Sequence, residues 1–183
     1  MIPFIIFFSC EKTISQHSYQ RNPEWALADE IYDNEIGEKV FSKLKKEKKL
    51  HVCESGWALR GKEKIQIMRC GFDYYNEISF EEARELLLEV GNLYLNTINE
   101  NERIRPSLGI YPFNPKNIHV DIFISKRDGS KLKPEQLHVI SINEGQLEYM
   151  NHDLENELLQ IIYKETYEEA MAKISNGSKK ISL

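Results

Sequence analysis

The stretch that most constrains how this chain can fold runs from Ile78 to Ser125, ISFEEARELLLEVGNLYLNTINENERIRPSLGIYPFNPKNIHVDIFIS. Ser79 and Glu82 stand at capping-box spacing, where the hydroxyl and the carboxylate each satisfy the other residue's backbone amide. Ala83, Leu86, Leu87, Val90, Tyr94 and Ile98 then recur every three or four residues, which is the spacing of one buried helical face. Glu81, Glu85, Glu89 and Asn92 lie off that face. The helix runs out at 99–101, and Pro106, Pro112 and Pro115 favour extended chain at the residues before them. Beyond the prolines Ile118, Val120, Ile122 and Ile124 alternate with His119, Asp121, Phe123 and Ser125, the pattern of a half-buried strand. Asp128-Gly129 marks the turn after it.

The flanking segments supply the rest of an α+β domain. Asn22-Pro23-Glu24 opens a helix, with Asn as cap and Pro at the first position. It reaches about Lys49 on Leu27, Ile31, Ile36, Val40, Phe41 and Leu44, with a break expected around Asp33 to Gly37 where the apolar stripe drifts. His51 to Ala58 and Glu63 to Phe72 read as a hairpin turning on Gly61-Lys62. That register sets Glu54 opposite Arg69, Trp57 opposite Gln66, Ala58 opposite Ile65 and Cys53 opposite Cys70. Leu137 to Asn143 and Gln146 to Asn151 form a second hairpin on Glu144-Gly145, with Ile142 facing Leu147 and Ile140 facing Tyr149. Asp153 is expected to cap a last helix to about Ile174 that buries Leu154, Leu158, Ile161 or Ile162, Ala170 and Met171. The expected order is α-ββ-α-βββ-α, an antiparallel sheet of about five strands packed with helices. Residues 23–176 form a single domain, between a signal (1–10) with a linker (11–22) and a tail (177–183).

With 24 basic and 29 acidic residues the net charge is −5, which provides no general attraction to nucleic acid. The one basic run, Lys43 to Lys49, suits the C-terminal end of a helix. The opening residues MIPFIIFFSC resemble the end of a bacterial lipoprotein signal, which makes Cys10 the expected lipidation site and the membrane an expected partner. The run is shorter than a signal, lacks a basic start and carries Phe7-Phe8 in place of the usual aliphatic-then-small pair. An apolar N-terminus packed on the domain is the alternative. A bilayer span is excluded for this run, because about 20 apolar residues are needed. Cys53 and Cys70, opposed in a non-hydrogen-bonded pair, lie within disulfide reach. A disulfide fits export, and two reduced, buried cysteines acting as small hydrophobes fit equally well.

Chemistry-bearing motifs are sparse. No HExxH, paired CxxC, GxSxG elbow, phosphate loop or dinucleotide fingerprint occurs, so no catalytic residue, cofactor or metal is expected. His119-x-Asp121 offers two outward ligands where a metal needs three or four. Cys53 or Cys70 with His51 or His138 would be a nucleophile pair, but mid-strand cysteines are usually buried and inert. Tyr111-Pro112-Phe113-Asn114-Pro115, close to Arg103 and Arg105, combines the residue types enriched at interface centres. Arg103, Arg105, Tyr111 and Phe113 are therefore the expected surface for a protein partner, against the plainer reading of aromatics clamping a long connection to the core.

The segment TINENERIRPSLGIYPFNPKNIHVDIFI, together with YEEAMAKI ending at Ile174, resembles a family of small uncharacterised proteins from chlamydia-like bacteria. In these a lipoprotein signal precedes a similar α+β domain. The resemblance spans about Leu50 to Ile174, carries no activity and no catalytic residue, and implies export. The expectation is a non-catalytic, membrane-tethered binding domain of the bacterial cell envelope. The rival is a cytosolic acidic chaperone or adaptor similar to type III secretion chaperones, which place three strands before the middle helix and two after.

Overall fold

The computed structural model describes residues 23–60, 63–153 and 158–180. Cys10, the linker 11–22, the Asn22 cap, the Gly61-Lys62 turn and Leu154 lie outside the described residues. Helix α1 (Pro23–Ile31) runs into a π-helical turn (Tyr32–Gly37) and then helix α2 (Glu38–Lys48). The drift expected at 33–37 is therefore a widened turn within one continuous rod. A π turn resets the helical phase, and Ile31, Tyr32, Ile36, Val40 and Leu44 are all buried. Leu27, expected in that stripe, is instead exposed.

Strands β1 (His51–Ala58) and β2 (Ile67–Tyr74) follow, then helix α3 (Phe80–Glu100). The Ser79–Glu82 capping box forms in full. Every apolar position expected in α3 is buried. Two short 3₁₀ turns, Arg105–Ser107 and Pro115–Asn117, carry the chain to β3 (Ile118–Ile124), whose residues alternate buried and half-buried. The hairpin β4 (Val139–Asn143) and β5 (Gln146–His152) has the expected register, Ile142 facing Leu147 and Ile140 facing Tyr149. Gly145 turns it with φ of 80°, the left-handed region that glycine enters without a side-chain penalty.

The fold is α+β as expected, but among the described residues the sheet has six strands, in the order β1-β2-β3-β4-β5-β6, and β2 with β3 is a parallel pair. Helix α3 explains the parallel pair, because a long helix carries the chain back to the end of the sheet where β2 began. The sixth strand, β6 (Leu159–Thr166), occupies residues expected to begin the last helix, and helix α4 (Tyr167–Lys180) starts only after it. Leu158, Ile161, Ile162 and Met171 are consequently exposed, while Ala170 is buried as expected. The helix also passes through Gly177 instead of stopping there.

What holds β6 is a buried carboxylate. Glu165, 4 % exposed, accepts from Arg84 Nε at 2.6 Å and Tyr149 Oη at 2.7 Å through one oxygen, and from Lys173 Nζ at 2.6 Å through the other. Burial pushes its carboxyl up, and hydrogen bonds from Lys173, Tyr149 and Arg84 outweigh that and hold it below the usual range. One side chain thus ties β6 to α3, α4 and β5. Inside the first turn of α4, Thr166 and Glu169 make a reciprocal cap, Glu169 N to Thr166 Oγ1 at 3.1 Å and Thr166 N to Glu169 Oε2 at 2.8 Å.

The β1–β2 hairpin departs from its expected register. Ile65 leaves the ladder to bond sideways, its amide to Ser107 O at 2.9 Å and its carbonyl to Gly109 N at 2.7 Å. Pairing therefore begins at Ala58–Ile67 instead of Ala58–Ile65, a slip of two residues, and Trp57 faces Met68. An even slip keeps each side chain on its expected face. It places Ser55 opposite Cys70, and a bulge between Val52 and Glu54 leaves Cys53 outside the register. No disulfide joins Cys53 and Cys70. Glu54 still reaches Arg69 at 2.9 Å, now along the diagonal.

Helix α3 touches α2 and α4 above one face of the sheet. Beneath them Cys70, Phe72, Val120, Ile122, Ile140, Ile142, Leu147 and Tyr149 form the core. Glu54, Asp121, Ser141, Glu148 and Lys164 line up across the opposite face in successive strand pairs.

Candidate functional site

The four residues expected to form a partner surface separate into two groups. Phe113 is 3 % exposed and belongs to the core, so it is withdrawn from the surface. Its backbone is held at both ends by the Asn99 amide, which donates to Phe113 O at 2.9 Å and accepts from Phe113 N at 2.8 Å. Arg103 is engaged by Glu35 and lies 3.8 Å from Glu30, which fastens the connection after α3 to the π turn. Arg105 and Tyr111 do come together. The guanidinium sits 4.3 Å from the Tyr111 ring centroid, and the phenol donates to Asn99 O at 3.3 Å. Ile110 and Tyr111 are each 48 % exposed. The outcome is a small knuckle of Arg105, Ile110 and Tyr111 on a connection anchored from beneath by Phe113 and Asn99.

His119 and Asp121 bond to each other, Nε2 to Oδ2 at 2.9 Å, as two residues on one face of a strand can. Among the described residues no group of three or more His, Cys, Asp and Glu is placed to hold a metal ion. Cys70 is fully buried; burial, then the carboxylates of Asp121 and Glu54, push its thiol up. That opposes the thiolate a nucleophile requires. His51 packs against Tyr75, with ring centroids 5.6 Å apart, and His138 belongs to a different part of the molecule.

That other part is a pocket of about 450 Å³ at the ends of β3 and β5 and the start of β4, roofed by residues 130–134. Ile124, Leu132 and Pro134 supply apolar wall, and His138 and His152 face one another edge to face with centroids 4.6 Å apart. Burial holds the His138 imidazole below its ordinary range, a bond to Lys133 O opposes this, and the neighbouring His152 adds to it. Extended to its open end, the expected β4–β5 register sets His138 opposite Asn151 and so beside His152, a signal the sequence does carry.

A third feature is strand β6 itself, where the sequence pattern points to helix. The six residues Leu159 to Lys164 of β6 are all exposed. They include Leu159, Ile161, Ile162 and Tyr163, at 38 to 46 % exposure. Comparison with protein-family models, curated proteins and solved structures finds no match for this chain. No described helix is long and apolar enough to cross a membrane.

Proposed function

We propose that this chain is a non-catalytic binding domain of the bacterial cell envelope, tethered through a lipid on Cys10, which engages a protein partner through the Arg105–Ile110–Tyr111 knuckle. The observation that carries the reading is the exposed Tyr111 ring stacked beneath Arg105 on an anchored connection. Aromatic residues and arginine dominate the energetic centres of protein interfaces, and a rigid loop loses little conformational entropy on binding. The tether rests on the Ser9-Cys10 signal-like ending and on the resemblance to lipoprotein-like proteins. The cytosolic adaptor reading draws little from topology, since two strands precede the middle helix and four follow it.

Two measurements test the two halves. Intact mass of the native membrane-fraction protein is expected to show a chain beginning at Cys10 with a diacylglycerol-sized adduct. An unmodified soluble chain that retains Met1 overturns the tether. For the surface, a photo-crosslinker at Tyr111 is expected to capture one dominant partner whose yield falls at least about tenfold with Arg105→Ala. Equal yields from Tyr111 and from Arg127, an exposed position beyond the far end of β3, overturn the knuckle.

A further inference from the structure

The pocket at the ends of β3 and β5 lies under the connection from β3 to β4. Residues 126–134 of that connection, KRDGSKLKP, carry four cations and one anion in a chain whose net charge is −5. The anion is used locally, since Asp128 Oδ1 accepts from the Ser130 amide at 3.0 Å and from its hydroxyl at 2.7 Å. Lys126 stands 4.0 Å from Glu77, and Arg127, Lys131 and Lys133 are exposed. The roof is pinned at Lys133. Its carbonyl accepts from Gln136 N at 3.0 Å and from His138 Nε2 at 3.2 Å, and its amide donates to Gln136 Oε1 at 2.7 Å. Leu132 packs down on the core.

Beneath this basic roof Ile124, Leu132 and Pro134 form an apolar wall, and Ser125, His138 and His152 bring polar groups. Asp153 is the one carboxylate among the described lining residues. A hollow of about 450 Å³ with an apolar wall and a few polar groups has the size and make-up of a small-molecule site. A smaller hollow of about 280 Å³ shares Ile124 and Leu132 but carries Glu77 and Glu82, so the two sides of Leu132 differ in charge. We infer that the histidine pocket takes a small anionic amphiphile, with an aliphatic chain against Ile124, Leu132 and Pro134 and one carboxylate or phosphate beside the histidine pair, toward the basic roof. A wholly apolar guest would strip water from the imidazoles and the serine hydroxyl without replacing those hydrogen bonds. A cationic guest would meet the basic residues of the roof at close range. An anionic head gains charge-assisted hydrogen bonds and the attraction of that roof, while its chain takes apolar wall out of water. The site is independent of the knuckle and of the tether.

The test is titration of the full chain with decanoate, decyl phosphate and decanol, followed by calorimetry and by the histidine ring resonances, with circular dichroism as a check on folding. At least one of the two anions is expected to bind with a Kd below about 1 mM. It is expected to shift the rings of His138 and His152 and to leave His119, near the other end of β3, in place. Decanol, which lacks the charge, is expected to bind at least about tenfold more weakly. Lys131→Glu combined with Lys133→Glu is expected to weaken the anion at least about tenfold with the spectrum unchanged. Leu132→Trp, which fills the pocket, is expected to abolish binding, and the lysine pair keeps the test sound if that variant does not fold. Equal affinity for decanol and the anions overturns the proposal, as do shifts confined to other histidines or no binding by either anion up to its solubility. A chain indifferent to the monomeric anions that sediments with phosphatidylglycerol vesicles, undiminished by Leu132→Trp, assigns the basic roof to a membrane surface and overturns it too.

Discussion

Glu165 shows how much one side chain can decide. A carboxylate at 4 % exposure is costly unless its lone pairs are used, and three donors from three elements use them. Glu165→Gln leaves Arg84 and Lys173 without their anion. Breaking a buried pair costs about 3 to 5 kcal/mol, and the partial exposure of Lys173 puts the loss at the low end, about 3 kcal/mol. Urea unfolding at neutral pH measures it. The folded carboxyl lies below its ordinary value, so the unfolded chain takes up the proton first as pH falls. The stabilisation is therefore whole above about pH 4.3 and is lost as pH falls through the lower folded value. The gap between wild type and Glu165→Gln is expected to narrow over that range, and a gap that stays constant there would contradict the assignment. Charge pairing of this kind is invisible in sequence, since Arg84 and Glu165 are 81 positions apart. Phe113 was misplaced for a related reason. A proline on either side says that the aromatic is held, without saying whether it faces water or the core.

At the scale of elements, α3, β3 and the β4–β5 hairpin were legible because local chemistry and periodicity agree in each. The final helix starts later than its expected cap. Asp153 looks like a cap, but Thr166-Tyr167-Glu168-Glu169 holds the capping box that forms, and that signal was present in the sequence. Residues 159–163 carry a short apolar run that helix and strand both accommodate. Docking beside β5 then selects strand. Thr166→Ala is expected to cost about 1 kcal/mol and to raise amide exchange in the first turn of α4 while leaving the middle of α3 protected. Uniform change across both helices would argue against a local cap. The β1–β2 slip has a tertiary cause as well. Ile65 satisfies its backbone against Ser107 and Gly109, partners that the hairpin itself cannot reveal.

For the whole molecule, a single helical layer on one side of a six-stranded sheet leaves Cys70 at the centre of the core. Burial pushes its thiol up and walls it from solvent. Alkylation of Cys70 is therefore expected to proceed through global opening alone, with a rate that follows the unfolding equilibrium as urea is added. Rapid labelling of the native protein at Cys70 would overturn that picture. The surface knuckle precedes β3 and the histidine pocket lies at its far end. Variants of Tyr111 and His138 can accordingly be measured without one disturbing the other.

By itself the sequence determined the α+β class, the long capped helix, the alternating strand after the prolines and the tight Glu144-Gly145 turn. Each is set by contacts within a few residues, or by a periodicity that only one conformation can bury. Tertiary structure decided the sixth strand, the parallel β2–β3 pair, the register that parts Cys53 from Cys70, and the inward turn of Phe113. All four depend on groups distant along the chain competing for the same backbone partners and the same apolar surface. A linear pattern does not record that competition, and the packed core resolves it.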